Sequence, residues 1–287
     1  MDFNRISELE NIGEWIKNLE DPDRCEKAWK LGLLTGWRKK DTGEYIAPNF
    51  ERALVVDRIV EVMRPAEILE IGTGRGLGCI AAAAAAKAYD CNLHVTTIDF
   101  YAPDKKQDWA IQIDGENKVI NASRNEIWST FIEPDIIPNI KQINGLSTNI
   151  LPILMSEGNQ YDFIFIDGGH DPYTVIHDLT YATKLLKNDG VILLDDFAPL
   201  DRWALGISLA ILHGRKLFNK VIIFHSEGLV YGYSENPHFP RGMVLLMDRN
   251  SKAMTINRLG LLIWKCIHLA LFRGYRKIGS PYRIITS

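Results

Sequence analysis

The chain has 287 residues, a net charge of −3, and 46% apolar and 24% charged residues. That length accommodates one large α/β domain with an appendage, or two small domains. The charge balance excludes the strongly basic surface of a nucleic-acid-binding protein.

Met1 to Glu20 is polar and mixed in charge, unlike a signal peptide. No apolar run reaches the roughly 18 residues that a membrane helix needs. Cys25, Cys79, Cys91 and Cys266 stand far apart, without metal-ligand spacing. These features predict a cytoplasmic protein. Residues 1–48, with Trp15, Trp29 and Trp37 among charges, read as a helical cap. Val55, Val56, Ile59, Val60 and Met63 follow helical spacing, and Pro65 ends that helix. Strands and helices then alternate. The strand candidates are Glu67–Ile71, His94–Ile98, Ile140–Ile143, Phe163–Ile166, Val191–Leu194, Val221–Phe224 and Met243–Met247. Asp171 and Pro172 open the helix between the fourth and fifth strands, and Gly190 closes that unit. Such alternation predicts a Rossmann-like, doubly wound, mostly parallel sheet of seven strands over residues 49–248. Tyr101 to Asn121 and His225 to Arg241 read as loop insertions.

The first strand runs into Glu70-Ile71-Gly72-Thr73-Gly74-Arg75-Gly76, and a helix with six consecutive alanines follows. Glycines there permit positive φ and close approach of a ligand to the backbone. The dinucleotide fingerprint requires glycine at its first, third and sixth positions, and counting Gly72 as the first, the sixth is Leu77, which argues against NAD.

Ligands of doubly wound sheets bind outside the carboxyl ends of the strands. After the second strand stands Asp99, suited either to a ribose diol or to capping a turn. After the fourth comes Asp167-Gly168-Gly169-His170, and after the fifth Asp195-Asp196. Three crowded carboxylates repel unless a cation compensates, and oxygen donors suit Mg²⁺, with Mn²⁺ and Ca²⁺ left open. The alternative is three aspartates that cap loops and point apart.

This ordered set, from Glu70-Ile-Gly-Thr-Gly through Asp99 and Phe165-Ile-Asp-Gly-Gly-His170 to Leu194-Asp195-Asp196, resembles the class I S-adenosylmethionine-dependent methyltransferases. It is most similar to the branch of small-molecule and sugar O-methyltransferases related to catechol O-methyltransferases. The resemblance implies that Gly72, Thr73, Gly74 and Gly76 wrap the methionine end of the cofactor, with Glu70 helping to hold its ammonium. Asp99 would take the ribose, and Gly145 and Ser147 would cradle the adenine. It also implies Mg²⁺ on Asp167, Asp195 and Asp196, with Asp196 standing where the family has Asn. His170 stands where the catechol enzymes carry a catalytic Lys. It would take the proton from a hydroxylated small-molecule acceptor, or else lock the Gly168-Gly169 turn. A hydroxylase related to the same branch would need an iron site of two histidines and a carboxylate, which is missing here. A non-catalytic cofactor-binding scaffold is the remaining alternative.

From Arg249 onward the chain carries eight Lys/Arg and no Asp or Glu. Leu259 to Phe272 reads as a helix packed on the sheet or across a homodimer, or as a peripheral contact with an anionic membrane.

Overall fold

The computed structural model describes residues 9–19, 21–35, 37–38, 45–47, 50–113, 115–197, 205–225 and 242–249. The expected C-terminal helix and the loop 226–241 lie outside these residues.

The seven expected strands all form one sheet, each extended beyond its apolar run or matching it. They are β3 (Glu67–Ile71), β4 (His94–Asp99), β7 (Ile140–Asn144), β8 (Tyr161–Ile166), β9 (Leu186–Phe197), β10 (Phe218–His225) and β11 (Gly242–Arg249). Their order across the sheet is β10-β11-β9-β8-β3-β4-β7. β11 is antiparallel to both its neighbours, while β7, β4, β3, β8 and β9 run parallel. From β3 the chain winds outward through β4 to β7, then returns to β8 on the other side. The crevice between β3 and β8 is therefore the topological switch point where such sheets bind ligands.

Both faces are buried, and the two-residue period of the strands sorts their side chains. Ile68, Phe163, Phe165, Val191, Leu193 and Leu245 join one core. It includes residues of α3 (Phe50–Met63) and α4 (Leu77–Ala88). Leu69, Ile71, Ile164, Ile166, Ile192, Leu194 and Leu246 join the other, with α6 (Ser147–Ser156), α7 (Pro172–Leu185) and α8 (Leu205–Leu217). The expected start of α7 is present: Asp171 accepts from Thr174 N at 3.0 Å with Pro172 at the first helical position. Gly190 does not end that unit. The helix stops at Leu185 and β9 starts at once, with Gly190 inside it, where a Cβ would stand 2.7 Å from the Asp162 carbonyl oxygen.

Two regions differ from expectation. The N-terminal cap contains helices α1 (Ile12–Lys17) and α2 (Pro22–Thr35), but also a short antiparallel pair, β1 (Trp37–Arg38) and β2 (Tyr45–Ala47). The helices pack on α3: Arg24 donates to Glu61 at 2.8 and 2.9 Å, and Trp29 meets Phe50 edge-on. The expected loop insertion at 101–121 is a β-hairpin instead, β5 (Gln107–Ile113) paired with β6 (Glu116–Ala122). Trp109 and Ile111 bury one side of β5, and the Trp109 indole donates to the Ala122 carbonyl at 2.8 Å. Helix α5 (Arg124–Phe131) follows, with a capping box between Ser123 and Glu126.

Candidate functional site

The glycine turn is built as its spacing requires. Gly72, Gly74 and Gly76 have φ of 98°, 51° and 101°. The Gly72 and Asp167 amides each donate to the neighbouring strand end, at 2.9 Å to Ile98 and 2.8 Å to Ile71, closing the ends of β4, β3 and β8 together. At Gly76 a Cβ would meet the Trp128 ring at 2.3 Å, so α5 covers that end of the turn. Arg75 is held by the hairpin, its guanidinium 5.0 Å from the Trp109 ring and 3.0 Å from the Ala110 carbonyl. Gly74 faces open space, with nothing within 4 Å of its missing Cβ.

Glu70 lies beneath this turn. Its Oε1 accepts from Cys79 N at 3.0 Å and its Oε2 from the Thr97 hydroxyl at 2.5 Å; Thr97 in turn meets the Thr73 hydroxyl at 2.6 Å. Helix α4 has no capping side chain at Gly76, and Cys79 is its third residue. Glu70 is thus a non-local cap for α4, supplying an acceptor that a helix start otherwise lacks. Gly78 makes the approach feasible, since a Cβ there would stand 2.3 Å from Glu70 Oε1. The described contacts of Glu70 and of the Thr73 side chain are therefore with the scaffold, rather than with the open side of the turn.

Burial pushes the Glu70 carboxyl up from 4.5 to about 7, against the pull of its Thr97 and Cys79 hydrogen bonds. A carboxyl raised in this way contributes stability in full below its unfolded value and loses it as pH rises through about 7. Glu70→Gln keeps an acceptor for Cys79 and an amide that can donate to Thr97. We expect the variant to gain on the order of 2 kcal/mol relative to wild type between about pH 5 and pH 8. Urea unfolding across that range measures it, and a pH-independent difference would refute the assignment.

Asp99 ends β4 buried. Its Oδ2 accepts from Gly74 N at 2.7 Å and from Arg124 Nη2 at 3.0 Å, and its Oδ1 from Tyr101 N at 2.8 Å. Arg124, also buried, donates to the Gly74 carbonyl and to Gln142. The turn, Asp99 and α5 are thereby locked together. Phe100 and Leu146, beside Asp99 and Gly145, leave their apolar side chains exposed at the ends of β4 and β7. Gly145 N donates to the Asp99 carbonyl at 2.8 Å. Ser147 opens α6, where its side chain stands beside the buried Asp178.

Across the switch point, Asp167, His170 and Asp196 converge, each placing one donor atom within 4.8 Å of the others. Nε2 of His170 lies 2.6 Å from Asp196 Oδ2. Asp196 has φ of 57°, a left-handed conformation that Asp tolerates better than most residues. Asp195 does not join this group through its described contacts. It pairs with Arg52 Nε from the first turn of α3, while Arg52 Nη2 holds Asp196 Oδ1 at 2.9 Å and Nη1 reaches Glu51 at 3.1 Å. Burial, then Asp195 and Asp196, raise the Asp167 carboxyl well above the ordinary range. Burial also raises Asp195, with Arg52 opposing.

Arg52 and Arg124 escaped the sequence reading. Arg124 had an accessible signal, the S-x-x-E capping box that fixes the start of α5. Arg52 had none, because Asp195 and Asp196 lie more than a hundred residues away in a different element.

Residues 69–197 match the family model described as a methyltransferase domain. No curated protein matches the chain. Among solved structures, an O-methyltransferase from Bacillus cereus in complex with S-adenosylhomocysteine is similar in fold at 15% identity, with a TM-score of 0.51, covering 82% of this chain and 96% of that one. The O-methyltransferase TomG from Streptomyces achromogenes, involved in tomaymycin synthesis and bound to S-adenosylmethionine, is 16% identical. Its TM-score is 0.51, and the likeness covers 86% of this chain and 99% of that one.

Proposed function

We propose that this protein, whose residues 69–197 match the model of a methyltransferase domain, moves a methyl group from S-adenosylmethionine to a hydroxyl of a small acceptor, a sugar or natural product. The observation that carries this reading is the pairing of two devices across one crevice. On one side is an open glycine turn tied to Asp99; on the other is an imidazole held by a carboxylate.

S-adenosylmethionine fits the first device. Gly74 leaves its approach free of a Cβ, Asp99 Oδ1 takes one described hydrogen bond and has a lone pair for a second at the strand end, and exposed Phe100 and Leu146 offer apolar surface for a base. When bound, the cofactor supplies an electrophilic sulfonium methyl. The protein's task is then to align the acceptor oxygen with that methyl and accept the hydroxyl proton. His170 suits the second task, since a carboxylate on one ring nitrogen orients the imidazole and fixes its tautomer. The electron pair of the broken carbon–sulfur bond leaves with the sulfur. An iron-dependent hydroxylase is disfavoured, because the donors converging among the described residues are one histidine and two carboxylates.

The resemblance also implies Mg²⁺, and the residues present do not suit it. Mg²⁺ demands oxygen donors at about 2.1 Å in octahedral array, whose neighbours then stand roughly 3 Å apart. Here one donor is a nitrogen, and it lies 2.6 Å from Asp196 as a hydrogen-bond partner. Both Asp196 oxygens are engaged, and Asp195 is held by Arg52. No step of the reading passes through a metal.

Calorimetric titration with S-adenosylmethionine tests the cofactor. Transfer of labelled methyl to a panel of hydroxylated acceptors, sugars first, tests the chemistry. His170→Ala should keep cofactor affinity and lower turnover by about 10²–10⁴-fold. Unchanged turnover would leave His170 the role of locking its turn, and absent cofactor binding would favour a scaffold.

A further inference from the structure

We propose that Arg52 occupies, in charge and in place, the role of a divalent cation at the strand ends, so that the acceptor side of this site is built to work without metal. The metal-free consequence rests on the methyltransferase reading; the cation substitution itself does not.

Asp167 ends β8, and Asp195 and Asp196 lie near the end of β9, the strand paired with it. Adjacent parallel strands bring these carboxylates together in a buried setting, and carboxylates so placed need a positive charge. A metal-binding site would meet that need by leaving the oxygens pointed at a common centre. Instead, the first turn of α3 delivers a guanidinium between Asp195 and Asp196. The planar fork of Arg is suited to engaging two carboxylates at once, and its charge is permanent. Arg52 is itself buried, which a guanidinium tolerates only when its donors are paired.

The second consequence is geometric. With Oδ1 on Arg52 and Oδ2 on His170, Asp196 links the two. The carboxylate cannot swing without breaking a buried ion pair, so Arg52 fixes the imidazole at one remove. Arg52 is in this sense a positioning residue: it does not contact the acceptor in the arrangement proposed, but sets the residue that does.

The test uses the full chain, stripped with EDTA and titrated with MgCl₂ and MnCl₂ by calorimetry and thermal melting. Wild type should show no saturable binding at millimolar cation and no change in melting temperature. Arg52→Met should melt several degrees lower and recover part of that loss with either cation, because the carboxylates are then uncompensated. Asp195→Asn, which leaves Arg52 on Asp196, should gain no cation response. ¹⁵N shifts of the His170 ring should change in Arg52→Met and stay near wild type in Asp195→Asn, an effect that simple loss of stability would not produce. If Arg52→Met does not fold, Arg52→Lys replaces it: an ammonium cannot span both carboxylates, and the same ring-shift change is expected. Stoichiometric Mg²⁺ or Mn²⁺ binding by wild type would overturn the proposal, as would an unchanged His170 ring in the Arg52 variants. Titration of the same samples with S-adenosylmethionine keeps the two readings separate. Its failure would sink the methyltransferase function and leave the cation result readable.

Discussion

Gly72→Ala should destabilise the domain by more than about 4 kcal/mol, at the extreme of single-substitution effects. Two costs combine. A residue with a Cβ at φ of 98° is strained whatever its surroundings. Its Cβ would also stand 2.1 Å from the Asp167 carbonyl oxygen and 2.7 Å from the Gly168 Cα. Both obstacles are backbone, so no rotamer change relieves them. The clash falls where the Asp167 amide donates to Ile71, and room for the methyl would come only by parting β3 from β8 at the ligand crevice. Gly74→Ala is the control. It shares a positive φ but meets nothing within 4 Å, and should cost only about 1–2 kcal/mol. Chemical unfolding of both variants decides the matter; equal losses would show that backbone conformation, and not the contact with β8, sets the requirement at Gly72.

Asp99→Ala should cost about 3–5 kcal/mol and abolish binding of S-adenosylmethionine. Removing one partner of a buried ion pair leaves the other charged and desolvated, and Arg124 is as buried as Asp99. The Gly74 and Tyr101 amides lose an acceptor as well. Arg124→Met in the Asp99→Ala background removes the stranded charge, so the double variant should be less destabilised than the sum of the singles by at least about 1 kcal/mol. Strict additivity of the unfolding free energies would mean that the two side chains do not share one network. Cofactor affinity should stay lost in the double variant, because the carboxylate proposed to bind the ribose is gone even where stability has been partly restored.

The fold was readable because its main signal is local. Buried parallel strands appear as short apolar runs, and the alternation of strands with helices dictates the doubly wound sheet. Boundaries were less readable, since β9 begins at Leu186, ahead of the polar stretch from Lys187 to Gly190 that interrupts the apolar pattern and over which the pairing with β8 shifts register. The β5–β6 hairpin was missed for a related reason. Trp109, Ile111 and Ile113 alternate as a half-buried strand should, but β6 is exposed along most of its length and lacks a matching set. The dipeptide Asp114-Gly115 is a hairpin signal, but it joins two runs of which only one carries a strand pattern.

The site of the glycine turn was local information, because only glycine takes a positive φ at little cost and three of them stand at alternate positions after an apolar run. So was the set of carboxylates that reach the strand ends, since that follows from where each apolar run stops. What those carboxylates do depends on packing. Glu70, expected to face the cofactor, caps α4 because Gly78 lets it approach; Asp195, expected to face a metal, meets Arg52 because α3 starts above it. The direction of a buried charge is set by whichever opposite charge or donor the packing brings within reach. That partner can lie anywhere in the chain, as Arg52 does for Asp195 and Arg124 for Asp99.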